Sequence, residues 1–298
     1  MKASLCFLAD LPLYDEEQPY VLHGFPEDVG AKTNCIYETV SNIEVHDLRD
    51  DAAQEQNFLL PECGFQFHYQ PSTACHRLRA EVFEDSKNRD QVAAYLRETT
   101  QLAMAALNAP RALCIDWRFR RARSTGRIQD QLNELENARH QALAPAAVMH
   151  CDYSYAGGLT TLQKHLTADE FQDVLGGRGR YRIVNVWRPL RKVDNCPLVF
   201  CDRRTAKLED ALEMDQVSPV QVEKSMVLKY RPSQTWFWVS DQLPEEVILF
   251  TSWDSIKTEN ALRHTAHGAF VKLDRAGRSL PQPRESVEVR LVMMWKEE

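Results

Sequence analysis

The pattern of apolar positions changes near the middle of the chain. From residue 180 onwards, short runs rich in Val, Ile, Phe, Trp and Leu follow one another with turn residues between them. They are RYRIVNVWRPL (180–190), PLVFCDRR (197–204), MVLKYRPSQTWFWVS (226–240), EVILFTSWDS (246–255), HGAFVKL (267–273) and ESVEVRLVMMW (285–295). Runs of this kind predict β-strands. Several strands at short intervals, with few helices among them, predict a β-sandwich or a jelly-roll barrel. Upstream the period is helical in places. Over 88–108, Val92, Ala93, Leu96, Leu102, Ala103 and Ala106 recur at helical spacing, and Asn108 with Pro110 ends the run. Residues 112–121, ALCIDWRFRR, read as a strand leading into a basic turn, and 127–143 as a second, more polar helix. Thr167 and Glu170 form a capping-box pattern, which opens a third helix that Gly176-Gly177 stops. Residues 1–80 read as short extended pieces broken by Pro, Asp, Asn and Glu.

No linker rich in Gly, Ser or Pro divides the chain. One domain over 1–298 is therefore expected, with a mixed α/β part at 1–110 and helices plus a β core at 111–298. A hydrophobic share of 44% and a charged share of 27% are ordinary for a globular chain of 298 residues. The net charge of -7 argues against nucleic acid as a partner. There is no apolar run of spanning length, so no membrane association is expected. The first twenty residues lack the order of a secretory signal, which makes the cytoplasm the expected location. Eight cysteines form no CxxC pair, which argues against a structural zinc site and for buried free thiols. GGRGR at 176–180 follows a helix and precedes a strand, so it reads as a helix stop and turn rather than a phosphate loop.

The stretch VMHCDYS puts His150 and Asp152 two residues apart. On an extended segment such residues project to one side, so an imidazole and a carboxylate can grip one metal ion together. A lone His-x-Asp pair is more often structural. This one gains weight from its place, because it opens the β-rich half and RHTAHGAF near the far end offers a third ligand. His267 begins an apolar strand while His264 sits in a more polar segment, so His267 is favoured and His264 is the alternative. Two His and one carboxylate, with other coordination positions open, is the pattern of non-haem Fe(II) oxygenases. Beyond it, PRESVEVR sets Arg284 and Ser286 two apart on a strand. A guanidinium holds a carboxylate through two parallel hydrogen bonds and a hydroxyl adds a third, which suits the far carboxylate of 2-oxoglutarate. Arg290 is a second candidate, although its deeper position points to a structural ion pair. Trp236 and Trp238 in TWFWVS are candidates for a substrate wall, with packing inside a strand core favoured. Arg118, with Arg120 and Arg121, is a candidate for meeting an acidic substrate, with a solvated turn favoured.

The ordered blocks HCDYS (150–154), RIVNVWRPL (182–190), PLVFCDRR (197–204), LFTSWDS (249–255), AHGAF (266–270) and PRESVEVR (283–290) resemble one family of oxygenases. It includes gibberellin A4 desaturase, the cephalosporin 7-alpha-methoxylation component and AsaB-like hydroxylase/desaturases. PYVLHGFPEDVGAKTN (19–34) and CGFQFHYQPST (63–73) fit less tightly. The resemblance implies a mainly β fold with flanking helices around a double-stranded β-helix (jelly-roll, cupin-like) core. It implies Fe(II), 2-oxoglutarate and O2, with His150, Asp152 and His267 on the metal and Arg284 with Ser286 on the co-substrate. Ala266 and Gly268 depart from the family's usual Pro and Thr; neither alters a ligand, and both are expected to reshape the pocket. In NVWRP, Asn185 and Trp187 share one strand face and Arg188 faces away. Asn185 is expected near the co-substrate, and Trp187 is a pocket candidate. Trp253-Asp254-Ser255 is expected to be a strand end held by hydrogen bonds.

The expected function is hydroxylation, desaturation or oxidative rearrangement of a small-molecule secondary metabolite. Asp152 argues against halogenation, because its carboxylate would occupy the halide's position. The alternatives are a non-catalytic partner subunit of the same fold and a cupin-like metalloenzyme that does not use 2-oxoglutarate. Association as a homo- or heterodimer stays open.

Overall fold

A computed structural model of the chain describes residues 1–26, 30–50, 58–72, 88–121, 145–256, 262–272 and 284–295. The polar helix expected over 127–143, Cys75, Arg123 and the turn expected after the strand at 267–273 lie outside these residues. Among the described residues fourteen strands form two sheets. In chain order they are β1 (Lys2–Leu8), β2 (Tyr20–Leu22), β3 (Tyr37–Asp47), β4 (Phe65–Tyr69), β5 (Arg111–Arg121), β6 (His150–Cys151) and β7 (Arg180–Pro189). There follow β8 (Leu198–Cys201), β9 (Ala211–Val217), β10 (Val222–Leu228), β11 (Trp236–Trp238), β12 (Glu246–Asp254), β13 (His267–Ala269) and β14 (Glu285–Trp295). The longer helices are α1 (Arg89–Leu107), α2 (Tyr155–His165) and α3 (Ala168–Leu175). The architecture is the expected mainly β jelly-roll with flanking helices.

The five-stranded sheet runs β4-β12-β7-β14-β5, every neighbour antiparallel. Alternation gives it two unlike faces. Val184, Val186, Val287, Val289 and Leu291 point outwards and pack under Tyr95, Leu102 and Ala103 of α1. Burying each large apolar side chain there stabilises by about 1.5–3 kcal/mol. The residues between them, among them Asn185, Trp187, Ser286 and Arg290, face the other sheet. That sheet runs β1-β3-β11-β8-β13-β6-β10-β9-β2. It curls until β1 meets the segment entering β6, where Met149 N donates to Cys6 O at 2.8 Å. The curl encloses a core of its own from Phe7, Val45, Met149, Val199, Trp236 and Phe270. Five cysteines are buried and all seven described ones are free, as expected.

Two elements differ from the sequence reading. The apolar run 226–240 is two strands, β10 and β11, because Pro232 has no N–H to give to a ladder and a turn forms there, with Gln234 N donating to Arg231 O. Helix α2 has no counterpart among the expected helices. Its Ser154 cap accepts from Gly157 N at 3.0 Å, and its glycines let the backbone come close. A Cβ on Gly157 would sit 2.0 Å from Lys224 O, and one on Gly158 2.0 Å from the Trp253 indole. The capping box of α3 is present as expected.

Asp254 ends β12 as a buried anion, as the expected hydrogen-bonded strand end requires. Its Oδ2 accepts from Arg182 Nε at 2.9 Å and from Arg180 Nη2 at 2.8 Å. Burial alone would raise the carboxyl, but the two arginines outweigh it and hold it below its ordinary 3.8. Asp254→Asn should cost about 3–5 kcal/mol in urea unfolding at pH 7, because Arg182 would stay buried without its counter-charge. Arg180→Ala, which removes a more exposed partner, should cost about 1 kcal/mol or less. A folded-state value that is depressed means the contribution is complete above the ordinary carboxyl value and is lost as pH falls below it. The wild-type advantage over Asp254→Asn should therefore shrink as pH drops below about 4. Equal losses for the two variants, or an advantage that grows in acid, would contradict this account.

Candidate metal centre

Antiparallel register brings the two histidines together. His267 on β13 lies opposite His150 on β6, and opposed residues project to the same side. Their ring centroids are 4.5 Å apart. Asp152 follows β6 and turns to the same place, with Oδ1 3.6 Å from His150 Nε2. One ligand atom from each residue lies within 4.8 Å of the others, a group that could hold one metal ion. Both rings are held alike. Val148 O lies 2.8 Å from His150 Nδ1, and Thr265 O lies 3.0 Å from His267 Nδ1. A carbonyl oxygen only accepts, so each Nδ1 carries the proton and each Nε2 keeps its lone pair for a metal. His264 is buried apart from the group, its Nδ1 donating to Tyr153 O at 2.7 Å. The structure thus brings His267, and not His264, to the His150–Asp152 pair.

The other sheet supplies the surroundings of Asp152. Asn185 on β7 donates from Nδ2 to Oδ2 at 2.5 Å, and Ser252 Oγ on β12 lies 3.2 Å from the same oxygen. Arg290 Nη2 on β14 sits 3.3 Å from Oδ1 and 3.0 Å from Glu288 Oε1, and its Nη1 is 3.4 Å from Asp116 Oδ2. Burial by itself would raise the Asp152 carboxyl, but the Arg290 guanidinium outweighs it and holds it well below the ordinary carboxylate range. Burial, with His150 adding, pushes His267 down to about 3, and burial pushes His264 down to about 4.

A second group lies at the start of β14, with Arg284 immediately before the strand and Ser286 on its inner face. Arg284 is 1% exposed, its Nη1 donates to Cys196 O at 2.7 Å, and its guanidinium carbon sits 5.5 Å over the Trp187 ring. Burial lowers it to about 10, so it remains charged at neutral pH. Its Nε and Nη2, together with Ser286 Oγ, are buried and have no hydrogen-bond partner among the described residues. Each buried donor left so costs about 1–3 kcal/mol. A carboxylate arriving from the inner side would satisfy them.

Of the other candidates, Asn185 and Trp187 both face inwards, the first against Asp152 and the second against Arg284. Arg118 lies opposite Glu288 on that face, one-third exposed, and pairs with Asp116 at 2.8 Å. The expected basic turn is instead the inner edge of the sheet, because β5 runs on through Arg121 and pairs Arg120 with Ser286. Trp236 and Trp238 are not brought to the group. They stand on the same face as Cys201, inside the curl, where Phe7 meets Trp236 and Phe270 meets Trp238 edge-on. His267 shares the opposite face with Phe200 and Phe237, so the packing alternative describes them. Ala266 and Gly268 also leave the inner face unchanged. Ala266 belongs to the curl's core, and a Cβ on Gly268 would meet Met149 there at 2.3 Å. Glu288, Ser252 and Asp116 were not foreseen. The alternation of Arg284, Ser286, Glu288 and Arg290 carried a readable signal for a polar inner face; the bulge that presents Ser252 did not.

A family model described as oxidoreductase/YMDC permease-like domain matches residues 5–294. Among the described residues no helix is long and apolar enough to cross a membrane. The hydroxylase/desaturase CTB9 of Cercospora beticola is 24% identical over 304 residues, spanning 98% of this chain and 90% of that protein. The alpha-ketoglutarate-dependent dioxygenase tstK of Talaromyces stipitatus is 23% identical over 258 residues, spanning 85% and 84%. A structure of the iron and alpha-ketoglutarate-dependent endoperoxidase NvfI matches with a TM-score of 0.76 at 23% identity, covering 100% of this chain and 98% of that one. The last likeness is one of fold.

The histidine environments make a direct prediction for the metal-free protein. In histidine-selective NMR, His264 and His267 should keep neutral-ring shifts down to about pH 5, where an ordinary imidazole is almost fully protonated. Protonation of either ring near its ordinary value of 6.5 would contradict the burial and tautomer assigned to it.

Proposed function

Because the chain belongs to the oxidoreductase/YMDC permease-like domain family, we propose that it is a non-haem iron, 2-oxoglutarate-dependent oxygenase acting on a small-molecule secondary metabolite. His150, Asp152 and His267 hold Fe(II), through the two Nε2 lone pairs and one carboxylate oxygen. Two imidazoles and one carboxylate suit that ion and leave positions open. When bound, iron with 2-oxoglutarate and O2 supplies the oxidising power that a C–H bond requires.

The observation that carries the co-substrate is the set of unpartnered donors at Arg284 and Ser286. Arg284 Nε and Nη2 grip the far carboxylate of 2-oxoglutarate side by side, and Ser286 Oγ adds a third bond. The Cys196 carbonyl and the Trp187 ring keep the guanidinium from turning away. Arg290 is a poorer anchor, because Asp152, Glu288 and Asp116 already engage it. A metalloenzyme that did not use 2-oxoglutarate would have no use for a fully buried cation with two donors in reserve. The names of the relatives support hydroxylation, desaturation or a related oxidative change as the reaction class. Both sheets contribute to the site, which supports reading the chain as one domain over 1–298.

Succinate formation from 2-oxoglutarate with Fe(II) tests this reading. Asp152→Ala should abolish both turnover and stoichiometric iron binding. Arg284→Ala should leave iron binding intact and raise the 2-oxoglutarate requirement by roughly 100-fold or more, since two charge-assisted bonds of about 1.5–3 kcal/mol each are lost. An unchanged requirement in Arg284→Ala would move the anchor to Arg290. Failure of the wild type both to bind iron at one equivalent and to form succinate with any candidate substrate would sink the proposal.

A further inference from the structure

The two oxygens of Asp152 are held differently. Oδ1 faces His150 Nε2 at 3.6 Å and Arg290 Nη2 at 3.3 Å. Oδ2 faces away from the imidazoles, towards Asn185 Nδ2 at 2.5 Å and Ser252 Oγ at 3.2 Å. An ionised carboxylate only accepts, so Asn185 must turn its amide nitrogen to it. Its carbonyl oxygen then points at Ser252 Oγ, 2.8 Å away. That oxygen also only accepts, so the serine proton goes to Asn185 and fixes the carboxamide in this sense. Asn185 and Ser252 are 0% and 1% exposed, so bulk solvent does not compete for these bonds.

The sheet is locally irregular where this happens. On β12, Phe250 pairs with Asn185 and Thr251 with Val184, but Trp253 pairs with Ile183. Ser252 is the extra residue of a β-bulge, a device that re-aims a side chain. On the other side of β14, Arg290 pairs with Asp116 and Leu291 with Cys114, which makes Ile115 the extra residue of a second bulge. Asn185 and Arg290 are themselves opposite one another. The two bulges therefore flank the one cross-strand pair whose side chains both reach Asp152.

We infer that Asn185 and Ser252 are positioning residues that pin Oδ2 of Asp152 and present Oδ1 alone to the metal, so that the bulge at Ser252 sets the metal affinity. The inference rests on the metal reading proposed above. It gives Asn185 a task different from touching the co-substrate. Asn185 does not contact the metal; it removes the rotation that would let the carboxylate swing out of reach or bind through both oxygens.

Titration of metal-free protein with Co(II), followed by its visible absorption, tests the clamp without turnover. Asn185→Ala should weaken Co(II) binding by roughly 10- to 100-fold, the usual consequence of losing the partner that orients a ligand. Ser252→Ala should weaken it by less, because Asn185 keeps its direct bond. Thr251→Val, which removes a neighbouring buried hydroxyl outside the clamp, should leave it unchanged. Thermal unfolding of each metal-free variant reports whether it is folded, and Ser252→Ala carries the test if Asn185→Ala is not. With Co(II) saturating, the variants should bind 2-oxoglutarate as the wild type does. Wild-type Co(II) affinity in both clamp variants would overturn the inference and leave the metal reading standing. So would intact Co(II) affinity with weakened 2-oxoglutarate binding in Asn185→Ala, which would put Asn185 on the co-substrate. Failure of the wild type to take up one equivalent of Co(II) would instead sink the metal reading itself.

Discussion

A single buried carboxylate governs the arrangement of this protein. Asp152 leaves the nine-stranded sheet and ends between the two sheets, where an unpaired charge would cost several kcal/mol. The five-stranded sheet answers with Asn185 from β7 and Arg290 from β14, and Ser252 from β12 fixes the Asn185 carboxamide through its own proton. The outer face of those strands is apolar and packed under α1, so strict alternation leaves the inner face to carry the polar groups. Both bulges fall at this level, where regular pairing would aim the side chains elsewhere. The histidines are set by the same logic from the opposite side, through a register that puts His267 across from His150.

Two arginines, one immediately before β14 and one on it, show how partner supply separates roles that sequence alone leaves open. Arg290 has a carboxylate for each of its terminal nitrogens, so it neutralises charge and orients Asp152. Arg284 has one carbonyl and an aromatic face, with two donors left over. The first is spent inside the protein, and the second is reserved for something that arrives. The difference lies in what β5, the Cys196 turn and β6 place beside each residue. No local pattern in PRESVEVR encodes that.

The sequence made the strands of the second half legible, because composition and punctuation carry that information. It also made the polar face of β14 legible in part, through the alternation that singled out Arg284 and Ser286. His267 could be preferred over His264 because an apolar run begins at it, whereas its opposition to His150 depends on the sheet order. Helix α2 was hidden because Gly157 and Gly158 are there for close approach to Lys224 and Trp253, a tertiary demand that overrides helix propensity. Trp236 and Trp238 alternate properly for a strand, but which face becomes the curl's core depends on β1 closing against Met149. Arg118 and Arg120 looked like a solvated turn because their cross-strand partners lie near the far end of the chain.

The most direct measurement is a crystal structure of the protein with Mn(II), as a stand-in that does not turn over, and 2-oxoglutarate. The expected result is one ion on His150 Nε2, His267 Nε2 and Asp152 Oδ1, with Oδ2 still on Asn185. The far carboxylate of 2-oxoglutarate should lie on Arg284 Nε and Nη2 and on Ser286 Oγ. An ion bound elsewhere, or a far carboxylate seated on Arg290 with Arg284 still unpartnered, would contradict the account.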